Sequence, residues 1–149
     1  MAEELFYAQV GLGAYLGESR LATSGQEDLS KALIVQEFGY QRSQEALQLI
    51  HAASRRLLAA GAGGVRQFGS GVLDLCWVAC GRVDAVYAGV AGEGWSCWDH
   101  AAGSLLITEA GGVVTQLDGS QFQVDDKTIL ACATNELRSR IQGLVNEPR

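Results

Sequence analysis

Residues 64–87 read GVRQFGSGVLDLCWVACGRVDAVY, and the change of periodicity inside that stretch decides the fold class. Residues 64–68 read as a strand and residues 70–80 as a helix, in which Val72, Leu75, Cys76 and Ala79 recur at i, i+3, i+4 and i+7. Gly81 suits the helix end, and residues 84–88 read as the next strand. Working outward, the same alternation recurs. Upstream, residues 32–36 form a strand and 43–60 a helix; downstream, residues 98–110 form a helix, 113–116 and 129–133 strands, and 135–145 a closing helix capped by Asn135. Leu117-Asp118-Gly119-Ser120 reads as a turn. Alternating strands and helices predict an α/β layered sandwich, a mixed sheet flanked by helices.

The first part of the chain departs from this order. Residues 5–9 and 14–16 read as a β-hairpin joined by Val10-Gly11-Leu12-Gly13, and two strands alone are marginal without further strands or a helix to cover them. No downstream segment offers an obvious sheet partner. The polar stretch 21–31 marks the expected boundary, so residues 1–30 are read as a hairpin with its linker and 31–149 as the α/β lobe.

With 149 residues, 48% apolar and 19% charged, the chain is long and apolar enough for one real core. A net charge of −6, with no basic cluster denser than Arg55-Arg56, provides no electrostatic footprint for nucleic acid. No apolar run reaches membrane-spanning length, and Glu3 and Glu4 stand where a secretory signal would carry bases, so a cytoplasmic location is expected. Cys76, Cys80, Cys97 and Cys132 sit in apolar surroundings without zinc-site spacing and are expected as reduced, buried thiols.

Chemistry concentrates in residues 98–112, WDHAAGSLLITEAGG. Asp99 falls in the first turn of a helix, where the positive helix end keeps a carboxylate ionised and also attracts a phosphate dianion. Behind it, Ala101, Ala102 and Gly103 would admit a neighbouring backbone. On position alone Asp99 is either an ordinary helix-start acid or a ligand for a hard cation such as Mg²⁺. Ser70 and Gly71, at the head of the preceding helix, present exposed amides to hydroxyls or anions, or Ser70 is a plain cap.

The string Trp98, Asp99, Ala101 to Gly103, Leu105 to Ile107 and Glu109 to Gly112 resembles the second signature of the inositol monophosphatase family. The resemblance runs through residues 64–87, through ALIVQEFGYQRS at 32–43 and through the hairpin at 5–21, and therefore covers essentially the whole chain as the C-terminal half of a family member. It implies a layered α/β/α/β/α sandwich, with the hairpin a remnant of the N-terminal lobe's antiparallel sheet. It also implies Mg²⁺-dependent, lithium-sensitive hydrolysis of a phosphate monoester such as inositol monophosphate by metal-activated water. On that basis Asp99 is the metal ligand and also contacts the sugar, Ser70 and Gly71 contact the substrate, and homodimerisation is expected.

Two departures from the family pattern qualify these expectations. A Glu that usually follows the tyrosine-containing strand is replaced by Ala88, and a longer connection follows, in which Glu93 either substitutes for it or is a solvated loop residue; Trp95 either caps the pocket or packs over the sheet. The family's Asp-Pro-Ile-Asp-Gly-Thr-like motif has no counterpart, since the only proline is Pro148. Glu37, Asp84 and Glu109 are other acids, of which Asp84 and Glu109 read as structural or solvated, and neither His51 nor His100 has an identifiable nucleophile partner. The chain is therefore expected to be weak or inactive alone, and to need a chain that supplies the N-terminal lobe. The alternatives are a catalytically dead binding or regulatory subunit, and a phosphatase for a 3′-phosphonucleotide or histidinol phosphate.

Overall fold

Local chain chemistry sets most element ends in the computed structural model, which describes residues 3–92 and 94–146. Strands β1 (Phe6–Gln9) and β2 (Gly13–Leu16) form the expected hairpin, and a two-residue strand β3 (Ser19–Arg20), unforeseen in the sequence, extends it to a separate three-stranded sheet. Gly11 and Gly13 take φ of 75° and 95° in the hairpin turn, a region that residues bearing a β-carbon rarely enter.

Thereafter β4 (Leu33–Glu37), α1 (Gln44–Ala59), β5 (Gly64–Arg66), α2 (Gly71–Ala79), β6 (Ala85–Ala88), α3 (Cys97–Glu109), β7 (Val113–Thr115), β8 (Ile129–Cys132) and α4 (Asn135–Val145) follow in the predicted alternation. The Ser43 hydroxyl caps α1 by accepting from the Ala46 N–H at 3.2 Å. For α4 the expected cap is corrected: Thr134, extended at φ −139° and ψ 161°, accepts from the Leu137 N–H at 3.2 Å. Asn135 is already the first helical residue.

The second sheet has the order β5-β4-β6-β8-β7; β4 runs parallel to β5 and β6, while β8 is antiparallel to β6 and β7. Its central strands are buried on both faces. Val86, Ala88, Ile129 and Ala131 pack with Leu75, Val78, Leu106 and Ile107 of α2 and α3. Ala85, Tyr87, Leu130 and Cys132 face Ala53 and Leu57 of α1 and Leu137 and Ile141 of α4. Each fully buried large aliphatic side chain contributes about 1.5–3 kcal/mol. Beyond α3 lies the three-stranded sheet, with Ala14 fully buried and Phe6 and Ala8 packed against the same cluster. The layers are therefore α1 and α4, the mixed sheet, α2 and α3, and the small sheet.

Three expectations are corrected by packing. Val72 is 43% exposed, whereas Leu75, Cys76 and Ala79 further along α2 are buried. In α3, Ala101 and Ala102 are exposed and only Gly103 is buried, where a β-carbon would come within 2.5 Å of Leu75 Cβ. Cys97, the first residue of α3, is exposed, whereas Cys76 and Cys132 are buried. The 21–31 segment is polar in sequence yet stitched into the fold: Thr23 donates to the Ala133 carbonyl at 3.0 Å, and Leu29 is buried in the short 3-10 turn Leu29–Lys31.

Candidate functional site

In sheets of this kind the space beyond the carboxyl ends of parallel strands is where ligands bind, because the connections diverge there and leave a crevice. Strand β4 ends at Glu37, β5 runs through Gln67 and Gly69 into α2, and β6 leads through Trp95 and Ser96 into α3. These connections enclose a cleft of ≈ 640 Å³ whose lining includes Glu37, Arg42, Gly69, Gly71, Trp95 and Asp99.

Asp99 is the third residue of α3, and its Oδ2 accepts from the Ser96 N–H at 2.9 Å, one half of a capping box that sets the carboxylate at the helix head. Gly71 opens α2 on the opposite wall, so two helix N-termini converge on the cleft. Ser70 occupies the cap position of α2, but its hydroxyl makes no capping bond; Gly69 and Gly71 on either side line the cleft and Ser70 does not. A β-carbon on Gly71 would lie 2.6 Å from the Trp95 ring. Trp95 lines the cleft and stacks on His100 with ring centroids 6.5 Å apart. His100 is buried, with Nε2 2.8 Å from the Val124 carbonyl. Glu93 lies outside the described residues.

Glu37 and Asp74 form a part of the site that sequence reasoning left unassigned. Glu37 Oε1 accepts from the Gly69 N–H at 2.9 Å and the Phe68 N–H at 3.3 Å, which holds the turn into α2. Asp74, one turn into α2, is fully buried, and no donor among the described residues reaches either of its oxygens. Burial, reinforced by the Glu37 charge and a hydrogen bond to Glu37, pushes the Asp74 carboxyl up to about 7. No sequence signal marked Asp74, since position 74 lies off the stripe of Leu75, Cys76 and Ala79. For Glu37 and Arg42 the signal was positional: they end and follow a strand with parallel neighbours on both sides.

The other acids are structural, as expected. Asp84 accepts from the Ser24 hydroxyl at 2.5 Å and the Leu33 N–H at 2.7 Å. Glu109 accepts from the Gly11 and Gly13 N–H groups at 2.7 and 2.8 Å, latching the hairpin turn to the end of α3, and these bonds hold its carboxyl below the usual Glu range. Ala88 is buried at the end of β6. Among the described residues no group of three or more His, Cys, Asp or Glu side chains could hold a metal ion. Asp99 offers one carboxylate where Mg²⁺ takes six oxygens, so the described residues do not fit a complete Mg²⁺ site by themselves.

A mixed α/β sheet between helix layers, with a carboxylate at one helix head facing a glycine-lined helix head across a crevice, places the chain among layered α/β proteins with a strand-end ligand cleft. The profile of the inositol monophosphatase family matches residues 1–148, and the chain belongs to that family. It is 40% identical over 135 residues to human inositol monophosphatase 2, covering 91% of this chain and 46% of that protein. Bovine inositol monophosphatase 1 is 33% identical over 141 residues, covering 95% of this chain and 50% of that one. Among solved structures, native extragenic suppressor protein suhB from Bartonella henselae superimposes with a TM-score of 0.85 at 29% identity, covering 98% of this chain and 53% of that one. Inositol monophosphatase from Anabaena gives 0.78 at 32% identity, with 95% and 54% covered. The chain therefore spans about half the length of the curated relatives it matches. Among the described residues no helix is long and apolar enough to cross a membrane.

Proposed function

We propose that the chain supplies the C-terminal half of a phosphomonoesterase site that acts on inositol monophosphate or a related phosphorylated polyol. The observation that carries this is the placement of Asp99 at the head of α3, on the same cleft as Gly69 and Gly71 at the head of α2. Helix heads attract a phosphate dianion, and Arg42 adds a full positive charge to the cleft lining. Asp99 is the carboxylate this chain would contribute to a Mg²⁺ site and to the sugar, with Gly71 across the cleft; the remaining metal donors would come from the part of the relatives' length that this chain does not span, about half of it.

Residues 1–30 fit this reading as part of a larger antiparallel sheet. Among the described residues strand β1 has one unpaired edge, and Leu5, Val10 and Leu12 around it are 69%, 77% and 58% exposed, an apolar surface that a neighbouring lobe would cover. Phe68, Val72 and Leu73 form a second exposed apolar group, at the start of α2, which supports homodimerisation. A reducing, cytoplasmic setting suits the free cysteines.

The test is phosphate release from inositol 1-phosphate with Mg²⁺, for this chain alone and with the N-terminal half of a relative added. Weak or no activity alone, activity restored by the added half, and its loss in Asp99→Asn are expected. Restored activity that survives Asp99→Asn overturns the assignment. A second reading, a binding or regulatory subunit without catalysis, is favoured by Ala88 buried where relatives would place a substrate-binding acid. Stable association with a full-length relative without restored turnover would select it.

A further inference from the structure

We propose that Glu37 and Asp74 share one proton and act together as the positioning device for the turn at residues 68–71 that forms one wall of the cleft. Glu37 stands at the carboxyl end of β4 and reaches across to the turn, its Oε1 accepting from both Phe68 and Gly69 amides. Asp74 has a fully buried carboxyl group, no donor among the described residues reaches it, and its own backbone N–H closes the first turn of α2 on the Ser70 carbonyl at 2.9 Å. Two ionised carboxylates in that arrangement would repel, with nothing to compensate Asp74. With the proton on Asp74, its hydroxyl can donate to the Glu37 carboxylate, and only the Asp74 carbonyl is left without a partner.

One proton then ties together the end of β4, the turn and the first turn of α2. Gly71 opens the helix so tied, and it lies so close under the Trp95 ring that a β-carbon there would come within 2.6 Å of it. Burial first, and then the neighbouring Glu37 charge, push the Asp74 carboxyl upward, the direction a retained proton requires. This goes beyond the phosphatase reading and does not rest on it: the lock shapes the cleft whatever ligand enters.

The experiment uses the full 149-residue chain at pH 6. Infrared difference spectra with isotope-labelled aspartate should show a protonated carboxyl band that disappears in Asp74→Asn. It should also disappear in Glu37→Gln, because a side-chain amide at 37 donates to Asp74 and leaves it ionised. Hydrogen exchange at the Phe68 and Gly69 amides should accelerate about tenfold or more in Asp74→Leu, which removes the donor, relative to amides deeper in α2. Asp74→Asn, whose amide restores a donor, should keep both amides within about twofold of wild type. An ionised Asp74 in the wild-type spectrum overturns the proposal. So does unchanged exchange in Asp74→Leu, or equal acceleration in Asp74→Asn. If Asp74→Leu does not fold, the band in wild type and its absence in Glu37→Gln decide alone.

Discussion

Replacing Gly103 by alanine should destabilise the protein even though alanine is the better helix former. Gly103 lies one turn beyond Asp99 in α3, and an added β-carbon would sit 2.5 Å from Leu75 Cβ and 2.6 Å from Leu75 Cδ1 in α2. Carbon contacts are favourable near 3.5–4.0 Å, so the helices must part by roughly 1 Å or Leu75 must leave its rotamer. Overpacking of this kind costs about 1–3 kcal/mol, and the intrinsic preference for alanine returns about 1 kcal/mol. With Leu75 fully buried and both helices pinned to the sheet, the upper part of that range applies, for a net loss of about 1–2 kcal/mol. At this chain length that lowers Tm by roughly 3–6 °C. Gly143 in α4 is the internal control, since an added β-carbon there meets nothing within 4 Å, and Gly143→Ala should stabilise by about 0.5–1 kcal/mol. Urea unfolding and calorimetry of both variants, and of Gly103→Ala in a Leu75→Ala background, provide the measurement. The clash should vanish once Leu75 is cut back, giving a coupling of about 1 kcal/mol or more. Should Gly103→Ala stabilise as much as Gly143→Ala, the close approach of α2 and α3 that sets the Gly71 and Asp99 walls of the cleft would not be a real constraint.

Other expectations follow from the same contacts. The Asp74 carboxyl rises from 3.8 to about 7 on folding, so the native state holds a proton the unfolded chain releases; stability from this group should fall as pH rises from about 4 to about 7 and then level off. At 1.36 kcal/mol per pH unit the full shift sets a ceiling of about 4 kcal/mol on the loss. Asp74→Asn should flatten the profile, and an unchanged slope in urea titrations at pH 5 and 8 would refute the assignment. Glu109→Gln should speed hydrogen exchange at the Gly11 and Gly13 amides. Because those bonds lower the Glu109 carboxyl, the wild-type latch is present above the ordinary Glu range and should weaken only as pH falls through the folded value; variant-like exchange already at neutral pH would contradict it. Gly71→Ala should push Trp95 off the turn and shift its emission to the red in a Trp77→Phe, Trp98→Phe background, and unchanged emission would show that the ring does not rest there.

Much of the fold was legible because its signals are short-range. The hairpin, the alternation from β4 to α4 and the first turn of α3 all follow from periodicities and caps contained within a few residues, and the family signature located Asp99 directly. Where reading failed, a residue's fate depended on another layer. Asn135 is a good cap by composition, but Thr134 is already extended at the end of β8 and takes the role. Ala101 and Ala102 look like packing residues beside Gly103, yet only Gly103 faces α2. The 21–31 segment looked like a linker, yet Ser24 bonds to Asp84, sixty residues away.

Element order, the class of fold and the carboxylate at the head of α3 are encoded locally, since helix caps, periodicity and a contiguous motif act between near neighbours in the chain. Which residues face that carboxylate depends instead on contacts between distant parts of the chain. Glu37, Gly69, Gly71, Trp95 and Asp99 come from three different connections, and they meet because β4, β5 and β6 run parallel and end on one side of the sheet. Strand pairing is chosen by burial across the whole core, and a buried acid such as Asp74 acquires its character from what encloses it; neither is written in the residues next door.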